Sequence, residues 1–185
     1  MSERFIVTGG AGFIGSNIIA ALNARGDDNI LVVDDLACDE KWKNLVGLKY
    51  DDYMDRDSFR RAVADNKLGS VSAIFHMGAC SATTETNAAY LADNNFAVTK
   101  ELCSWCLASG TRFIYASSGA TYGDGALGYS DDDAVTPTLR PLNMYGYSKH
   151  MFDLWALRNN LLGRIVGLKF FNVYGPREDH KGDMR

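Results

Sequence analysis

A glycine-rich turn between the first apolar run and the first helical pattern constrains this chain more than any other feature. Residues 5–8 are apolar or β-branched, and an apolar helical pattern begins at Phe13. The turn contains the glycines Gly9, Gly12 and Gly15. A tight strand-to-helix turn needs residues without a Cβ, and the helix N-terminus behind it offers N–H groups to a pyrophosphate. Since Asp34 follows about twenty residues later, the spacing predicts a dinucleotide-binding unit.

Strand-like and helix-like runs alternate along the rest of the chain. Strands are predicted over residues 5–8, 30–34, 48–52, 71–75, 112–117 and 165–171. Helices are predicted over residues 13–25, 57–66, 87–109 and 145–161. This order requires a parallel sheet covered on both faces, so the predicted fold class is a doubly wound α/β fold, the Rossmann fold. The irregular stretch 119–143 is long enough to indicate a functional loop.

The composition excludes several classes of function. The 185 residues are 46% hydrophobic and 23% charged, which is typical of a globular domain. A net charge of −4 without a basic cluster argues against nucleic acid as a partner. The first apolar run stops at Thr8, too early for a signal peptide or a membrane span. We therefore expect a cytoplasmic protein with no membrane contact.

Four cysteines are too few for a disulfide framework in a chain of this length, which favours a reducing compartment. They are Cys38, Cys80, Cys103 and Cys106. Cys103 and Cys106 form a C-x-x-C pair, but they share the helical spacing of apolar neighbours. We predict that both pack in the core, and we predict no metal site, because no second Cys or His pair accompanies them.

Asp34 also bears on the choice of dinucleotide. A carboxylate at the end of the second strand accepts hydrogen bonds from a ribose 2′-hydroxyl, which favours NAD over NADP. Lys41 and Arg56 would neutralise a 2′-phosphate if they reach the same region, which favours NADP. They are otherwise ordinary surface charges. Spacing alone leaves NAD and NADP equally supported.

A serine, a tyrosine and a lysine form a candidate reactive site. Tyr145 and Lys149 are four residues apart, so on a helix they share one face. A cation ~4 Å away contributes about 4 kcal/mol at an effective dielectric of about 20, which would lower the pKa of Tyr145 toward neutrality. Such a tyrosine exchanges protons with a sugar hydroxyl. Ser118, at the end of a predicted strand, would hydrogen-bond the same hydroxyl.

Three further segments, together with the residues above, resemble those of a known family. They are IFHMGACS at residues 74–81, DNN at residues 93–95 and FNVYGPREDHKG at residues 171–182. Over nearly its whole length the chain resembles the extended short-chain dehydrogenase/reductases that act on nucleotide sugars. Within that family it is most similar to the 6-epimerases that invert an ADP-linked heptose for the inner core of bacterial lipopolysaccharide. The resemblance implies a homo-oligomer, a pentamer in that subfamily.

The resemblance also implies a mechanism, in which a tightly held NADP takes hydride from C6 and returns it to the opposite face of a transient ketone. Tyr145 and Lys181 are the implied acid/base groups on the two faces, with Lys149 tuning Tyr145 and Ser118 orienting the oxygen. Implied cofactor contacts are Gly9, Gly12, Phe13, Ile14, Gly15, Asp34, Asp35, Lys41, Arg56, Met77, Gly78, Ala79, Cys80, Ser81, Asn94, Lys149 and Val173. Implied substrate contacts are Ser118, Asn172, Lys181 and Asp183.

Three positions depart from the family pattern. Met77, Asp35 and Asp183 stand where Glu, Asn and Ser are expected. Met77 and Asp35 lie in segments that contact a ligand through the backbone, whereas an acidic Asp183 weakens the expectation about the sugar. His76 alternates with apolar strand positions, so we predict a structural role for it.

Three alternative functions are weighed against this one. A UDP-hexose 4-epimerase would use Ser118, Tyr145 and Lys149 but would have no special use for Lys181. A nucleotide-sugar dehydratase needs an Asp-Glu pair where Gly119 and Ala120 stand. A non-catalytic NAD(P)-binding sensor module predicts a missing Tyr or Lys in the helix, and both are present.

The length of the chain can also be compared with the family pattern. We predict a cofactor domain over residues 1–171 and the beginning of a truncated substrate-binding region over residues 172–185. On this interpretation most of the substrate domain is missing, so residues 1–185 alone should be inactive and less stable than their length suggests.

Overall fold

The computed structural model describes residues 3–36 and 40–178. Its strands are β1 (Phe5–Thr8), β2 (Ile30–Asp34), β3 (Asp52–Asp55), β4 (Ala73–His76), β5 (Arg112–Ser118) and β6 (Val166–Phe170). Its α-helices are α1 (Phe13–Ala24), α2 (Arg56–Ala64), α3 (Ala88–Leu91), α4 (Val98–Ser109) and α5 (Met144–Arg158). Within these ranges the six strands form one sheet in the order β3-β2-β1-β4-β5-β6. The predicted doubly wound α/β class is confirmed.

The described residues divide into two compact units. The first unit takes its described residues from Met1–Gly78, Trp105–Phe113 and Val173–Arg185, and the second consists of Ala79–Ser104 and Ile114–Asn172. In the first unit β1 pairs in parallel with β2 on one side and with β4 on the other. Every residue of β1 and β2 is buried, as expected for central strands covered on both faces.

The third strand is not where the sequence predicts it. The apolar residues Leu48 and Tyr50 lie in a loop, and the strand is instead Asp52–Asp55, which pairs with residues 31–34 of β2. Its four residues are exposed or half-buried because β3 is the last strand of the sheet in the described chain. An edge strand needs no continuous apolar run, and the prediction over residues 48–52 depended on such a run.

One of the predicted helices has a local irregularity. The helix predicted over residues 87–109 runs from Ala88 to Ser109, but its backbone takes π-helical turns over Ala92–Ala97, between α3 and α4. The predicted loop 119–143 includes short 3₁₀ turns at Gly119–Tyr122 and Asp133–Thr138. Asn143 begins α5 by accepting a hydrogen bond from the Gly146 N–H at 2.8 Å.

The predicted packing of the cysteine pair is confirmed. Cys103 and Cys106 are both fully buried, and burial raises the pKa of the Cys103 thiol to about 11. A thiol with such a pKa is unreactive at neutral pH. In the described part of the chain no helix combines the length and the apolar character needed to cross a bilayer.

Candidate active site

The glycine-rich turn of the first unit leaves no room for side chains. Gly9 has a φ of +65°, and a Cβ there would lie 2.7 Å from the Gly78 nitrogen at the end of β4. A Cβ on Gly15 would collide with the carbonyl oxygen of Gly9. Gly12 is the N-cap of α1, and no acidic residue stands in the first turn of that helix. The turn therefore has the narrow backbone cradle and positive helix end that suit a pyrophosphate.

The ends of β1 and β4 are held together by a buried hydrogen-bond chain. Thr8 Oγ1 accepts the N–H of Gly78 at 3.1 Å and is hydrogen-bonded to His76 Nδ1 at 2.7 Å. His76 is buried and stacks on Phe113. Its interactions are those of a structural histidine, as the sequence predicts.

Asp34 has three hydrogen-bond donors at the end of β2. Its Oδ2 accepts the N–H of Ala11 in the glycine-rich turn at 2.8 Å. Its Oδ1 accepts the N–H of Asp35 at 2.8 Å and Nζ of Lys41 at 2.9 Å. Lys41 therefore reaches the end of β2, one of the two possibilities that its spacing leaves open, and its ammonium neutralises the carboxylate. Such a site tolerates more negative charge than an unpaired Asp34 would.

Arg56 stands at the start of α2, directly after β3. Its Nε lies 3.0 Å from Asp57 Oδ1, and its side chain is 42% exposed. The preceding residue, Asp55, caps the helix by accepting the N–H groups of Asp57 and Ser58. Arg56 is thus placed by a well-capped helix end, with its guanidinium at the surface of the first unit.

Asn95 organises the backbone that follows β4 in the second unit. This nearly fully buried residue lies in the π-helical segment. Its side chain accepts the N–H of Cys80 and donates to the Cys80 carbonyl, both at 2.9 Å. It also donates to Ser148 Oγ at 3.0 Å, and Ser148 in turn donates to the Tyr145 carbonyl at 2.7 Å. Asn95 therefore ties the predicted cofactor segment to the first turn of α5.

The predicted reactive residues meet in the second unit. The side chain of Ser118 lies close enough to Tyr145 to oppose the rise of its pKa. Ser118 and Lys149 are buried, while Tyr145 is half-buried. Lys149 follows Tyr145 by four residues on α5, as predicted. This group has the hydroxyls and the amine needed to exchange a proton with a bound alcohol.

The expected lowering of the Tyr145 pKa is wrong for this structure. Burial raises the pKa of Tyr145 above its ordinary value, and the contact with Ser118 only partly opposes this. Burial also lowers the pKa of Lys149 to about 8, with Asp153 and Cys80 opposing the change. The prediction considered only the Lys149 ammonium acting on Tyr145 through a polar medium. In the structure Tyr145 and Lys149 are both removed from water, and this burial disfavours the charged form of each side chain.

A cluster around Asp153 was not predicted from the sequence. Tyr115, Ser117 and Lys169 all donate to its carboxylate, at 2.8 to 2.9 Å. Asp153 lies one helical turn after Lys149. The Lys149–Asp153 spacing is visible in the sequence, but the three donors come from strands 16 to 38 residues away.

The other predicted contacts differ in exposure. Phe13 is buried, Ile14, Met77, Ala79 and Asn94 are half-buried, and Ser81, Asn172 and Val173 are exposed. Lys181 and Asp183 lie outside the described residues, as does Cys38. Their predicted roles stay predictions.

The NAD dependent epimerase/dehydratase family matches residues 5–185, nearly the whole sequence. The chain belongs to that family. In the epimerase/dehydratase family it is 59% identical, over 98% of its length, to the ADP-L-glycero-D-manno-heptose-6-epimerase of Nitratidesulfovibrio vulgaris strain DP4. It is 51% identical to the enzyme of the same name from Fusobacterium nucleatum. The chain spans 55–56% of the length of these curated relatives.

Solved structures of epimerases have the same fold. The Helicobacter pylori ADP-L-glycero-D-manno-heptose-6-epimerase superposes with a TM-score of 0.81 at 29% identity, covering 97% of this chain and 58% of that one. The Thermotoga maritima UDP-glucose 4-epimerase, solved with UDP-glucose, gives a TM-score of 0.74 at 25% identity, covering 95% of this chain and 58% of that one. Both a 6-epimerase and a 4-epimerase thus share the architecture of this member of the epimerase/dehydratase family.

Proposed function

We propose that the protein is a nucleotide-sugar epimerase that interconverts ADP-D-glycero- and ADP-L-glycero-D-manno-heptose by transient oxidation at C6. The observation that carries the proposal is the contact between Ser118 and Tyr145, with buried Lys149 one turn further along α5. The 59% identity to an enzyme named for this reaction supports the choice of sugar. A non-catalytic binding module has no need of this three-residue arrangement.

The residues of the first unit fit a nicotinamide dinucleotide. The close approach of Gly9, Gly15 and Gly78 forms a cradle that side chains would fill, and the N-terminus of α1 favours an anion. We assign NADP rather than NAD, because Lys41 neutralises Asp34 and Arg56 adds a second cation in the same unit. When bound, the nicotinamide supplies a hydride acceptor and donor.

Side chains of this protein would bind the C6 oxygen and transfer its proton. Ser118 would hold the C6 hydroxyl oxygen, and Tyr145 would exchange the hydroxyl proton when one face of C6 reacts. Lys149, one turn away, favours the tyrosinate because its ammonium opposes the developing negative charge. Lys181 serves the opposite face, and Asn172 and Asp183 contact the sugar in the same proposal. The gain over an uncatalysed proton exchange is about 10²- to 10⁴-fold for one such group.

The decisive experiment compares two sugar nucleotides. The natural full-length protein is incubated separately with ADP-heptose and UDP-galactose, and epimer formation is followed by NMR. We expect turnover of ADP-heptose alone. Turnover of UDP-galactose alone would replace the proposal by a UDP-hexose 4-epimerase, the second candidate, because the chain shares its fold with the Thermotoga maritima UDP-glucose 4-epimerase. The cofactor released on denaturation should be NADP, and NAD alone would contradict the roles of Lys41 and Arg56.

The wider biological role belongs to the same proposal. In this proposal the protein catalyses a step in lipopolysaccharide inner-core synthesis, is located in the cytoplasm and assembles into a homo-oligomer of five subunits. Light scattering on the full-length protein measures the subunit number directly, and a monomer would contradict the oligomer.

A further inference from the structure

One buried carboxylate joins three elements of the second unit. Asp153 projects from α5, is 4% exposed, and accepts three hydrogen bonds. Tyr115 of β5 donates to Oδ1 at 2.9 Å, and Ser117 of β5 donates to Oδ2 at 2.8 Å. Lys169 of β6 approaches Oδ2 at 2.9 Å. A buried anion with a cation and two hydroxyl donors has its desolvation cost largely compensated.

Two of the residues that donate to Asp153 are also connected to Ser118. Ser117 is its neighbour in the chain. Lys169 Nζ also donates to Thr121 Oγ1 at 2.8 Å, and the Thr121 hydroxyl donates to the Ser118 carbonyl at 2.8 Å. Asp153 therefore holds the end of β5, which carries Ser118, through two routes: through Ser117 along the chain and through Lys169 and Thr121.

The same carboxylate faces the amine of the reactive group. Lys149 and Asp153 are four residues apart on α5, and both are buried, so they share one face of the helix. The negative charge of Asp153 acts on Lys149 against the effect of burial. Other titratable neighbours are Tyr115 and Lys169 from the strands, Tyr122 from the turn after β5, Cys80 from the segment after β4, and His150 on α5 itself.

We propose that Asp153, paired with Lys169, is a positioning residue for the epimerisation site. It holds the Ser118 strand end against the helix that carries Tyr145, and it keeps the neighbouring Lys149 in its ammonium form. This inference rests on the proposed function for its chemistry, because Ser118, Tyr145 and Lys149 are the groups that it positions. Asp153 itself touches neither sugar nor cofactor in this role.

The first test measures Lys149 without any substrate. The lysine ¹³Cε resonances are titrated in the nucleotide-free protein, with Lys149→Met used to assign the signal. In Asp153→Asn the pKa of Lys149 should fall by about one pH unit, since a compensating anion is lost. In Lys169→Met it should move in the opposite direction, because Asp153 is no longer neutralised. Equal pKa values in the parent and in both variants would overturn the electrostatic role.

The second test separates positioning from stability. Asp153→Asn should lower kcat for ADP-heptose about 100-fold with little change in KM, and the pH dependence of kcat should shift as the pKa of Lys149 does. Asp153→Glu, which keeps the charge, should restore the pH profile. Tyr115→Phe removes one hydrogen bond but no charge, so it should lower the melting temperature and leave the pH profile unchanged.

The outcomes distinguish this inference from the proposed function. The exposed ion pair Asp65–Lys67, at 2.7 Å, provides a matched control, and Asp65→Asn should change neither readout. If Asp153→Asn and Tyr115→Phe slow turnover equally with the same pH profile, Asp153 is only structural and the inference fails. If the parent protein turns over neither sugar while the Lys149 titration responds as expected, the proposed function fails instead.

Discussion

Lys41 Nζ and Asp34 Oδ1 lie 2.9 Å apart at the end of β2, in the first unit. The side chains are only 18% and 8% exposed, so the pair is shielded from solvent. Without Lys41 the carboxylate would repel a 2′-phosphate. In the proposed NADP site, the ion pair would offset the charge of a residue that ordinarily selects NAD.

Lys41→Met should weaken NADP binding about 10-fold or more and leave NAD binding nearly unchanged, since only NADP has the additional phosphate. Isothermal titration of the two dinucleotides measures both affinities. Lys43→Met is the matched control, because Lys43 lies two residues away in an exposed pair with Glu40. An equal loss for NAD and NADP would mean that Lys41 has no role in choosing between them.

Gly15→Ala should destabilise the protein by about 1–3 kcal/mol, because the new methyl group overlaps the Gly9 carbonyl. Thermal denaturation measures the loss, and dinucleotide affinity should fall with it. Gly163→Ala provides the comparison, since no atom lies within 4 Å of the added Cβ. Equal melting temperatures for the two variants would argue against the close-packed turn.

Lys149 should give the protein a characteristic dependence of stability on pH. Burial lowers its pKa from 10.5 to about 8, so between these values the unfolded chain binds more protons than the folded protein. The free energy of unfolding should rise with pH across this window, by about 3 kcal/mol in total. Chemical denaturation of the nucleotide-free protein should show this rise relative to Lys149→Met.

Lys67→Met is the control for that experiment, because Lys67 is 71% exposed. The free energy of unfolding of Lys67→Met should change with pH as that of the parent protein does, from pH 8 to 10.5. A parent and a Lys149→Met variant with parallel stability curves would show that Lys149 is not titrating in this range.

Tyr145→Phe should reduce epimerisation of ADP-heptose about 10²- to 10⁴-fold, because it removes the hydroxyl that exchanges the proton. The neighbouring Tyr147 is 48% exposed, so Tyr147→Phe should retain most of the activity. NMR follows the sugar, and absorbance of the purified protein reports the retained cofactor. Near-equal rates for the two variants would exclude Tyr145 as an acid/base group.

Lys181→Ala should abolish epimerisation while cofactor binding is retained, because only one face of the sugar keeps its acid/base group. The readouts are NMR of the sugar and the dinucleotide released on denaturation. Unchanged turnover would refute the role of Lys181 and remove the main distinction from a 4-epimerase.

The sequence predicts the first unit better than the second. β1, β2 and the start of α1 lie where they are predicted, because continuous apolar runs and a glycine-rich turn are local signals. β3 is misplaced, because a polar edge strand is specified by its pairing with β2 and not by its own pattern.

In the second unit the decisive properties are tertiary. The spacing of Tyr145 and Lys149 is correctly interpreted as one helix face, but their pKa values depend on burial that no local pattern reveals. Asn95 lies directly beside the predicted Asn94, and only the folded chain shows that its side chain reaches Cys80 and Ser148.

The π-helical turns at Ala92–Ala97 have an evolutionary consequence. Such a turn accommodates one residue more than an α-helix of the same rise, and each added residue rotates the following helix by about 100°. A single-residue deletion between positions 92 and 97 that restores a regular α-helix would change the direction of the Asn95 side chain relative to Cys80. One gap in an alignment at this place would therefore mark relatives that have lost this support for the backbone at Cys80.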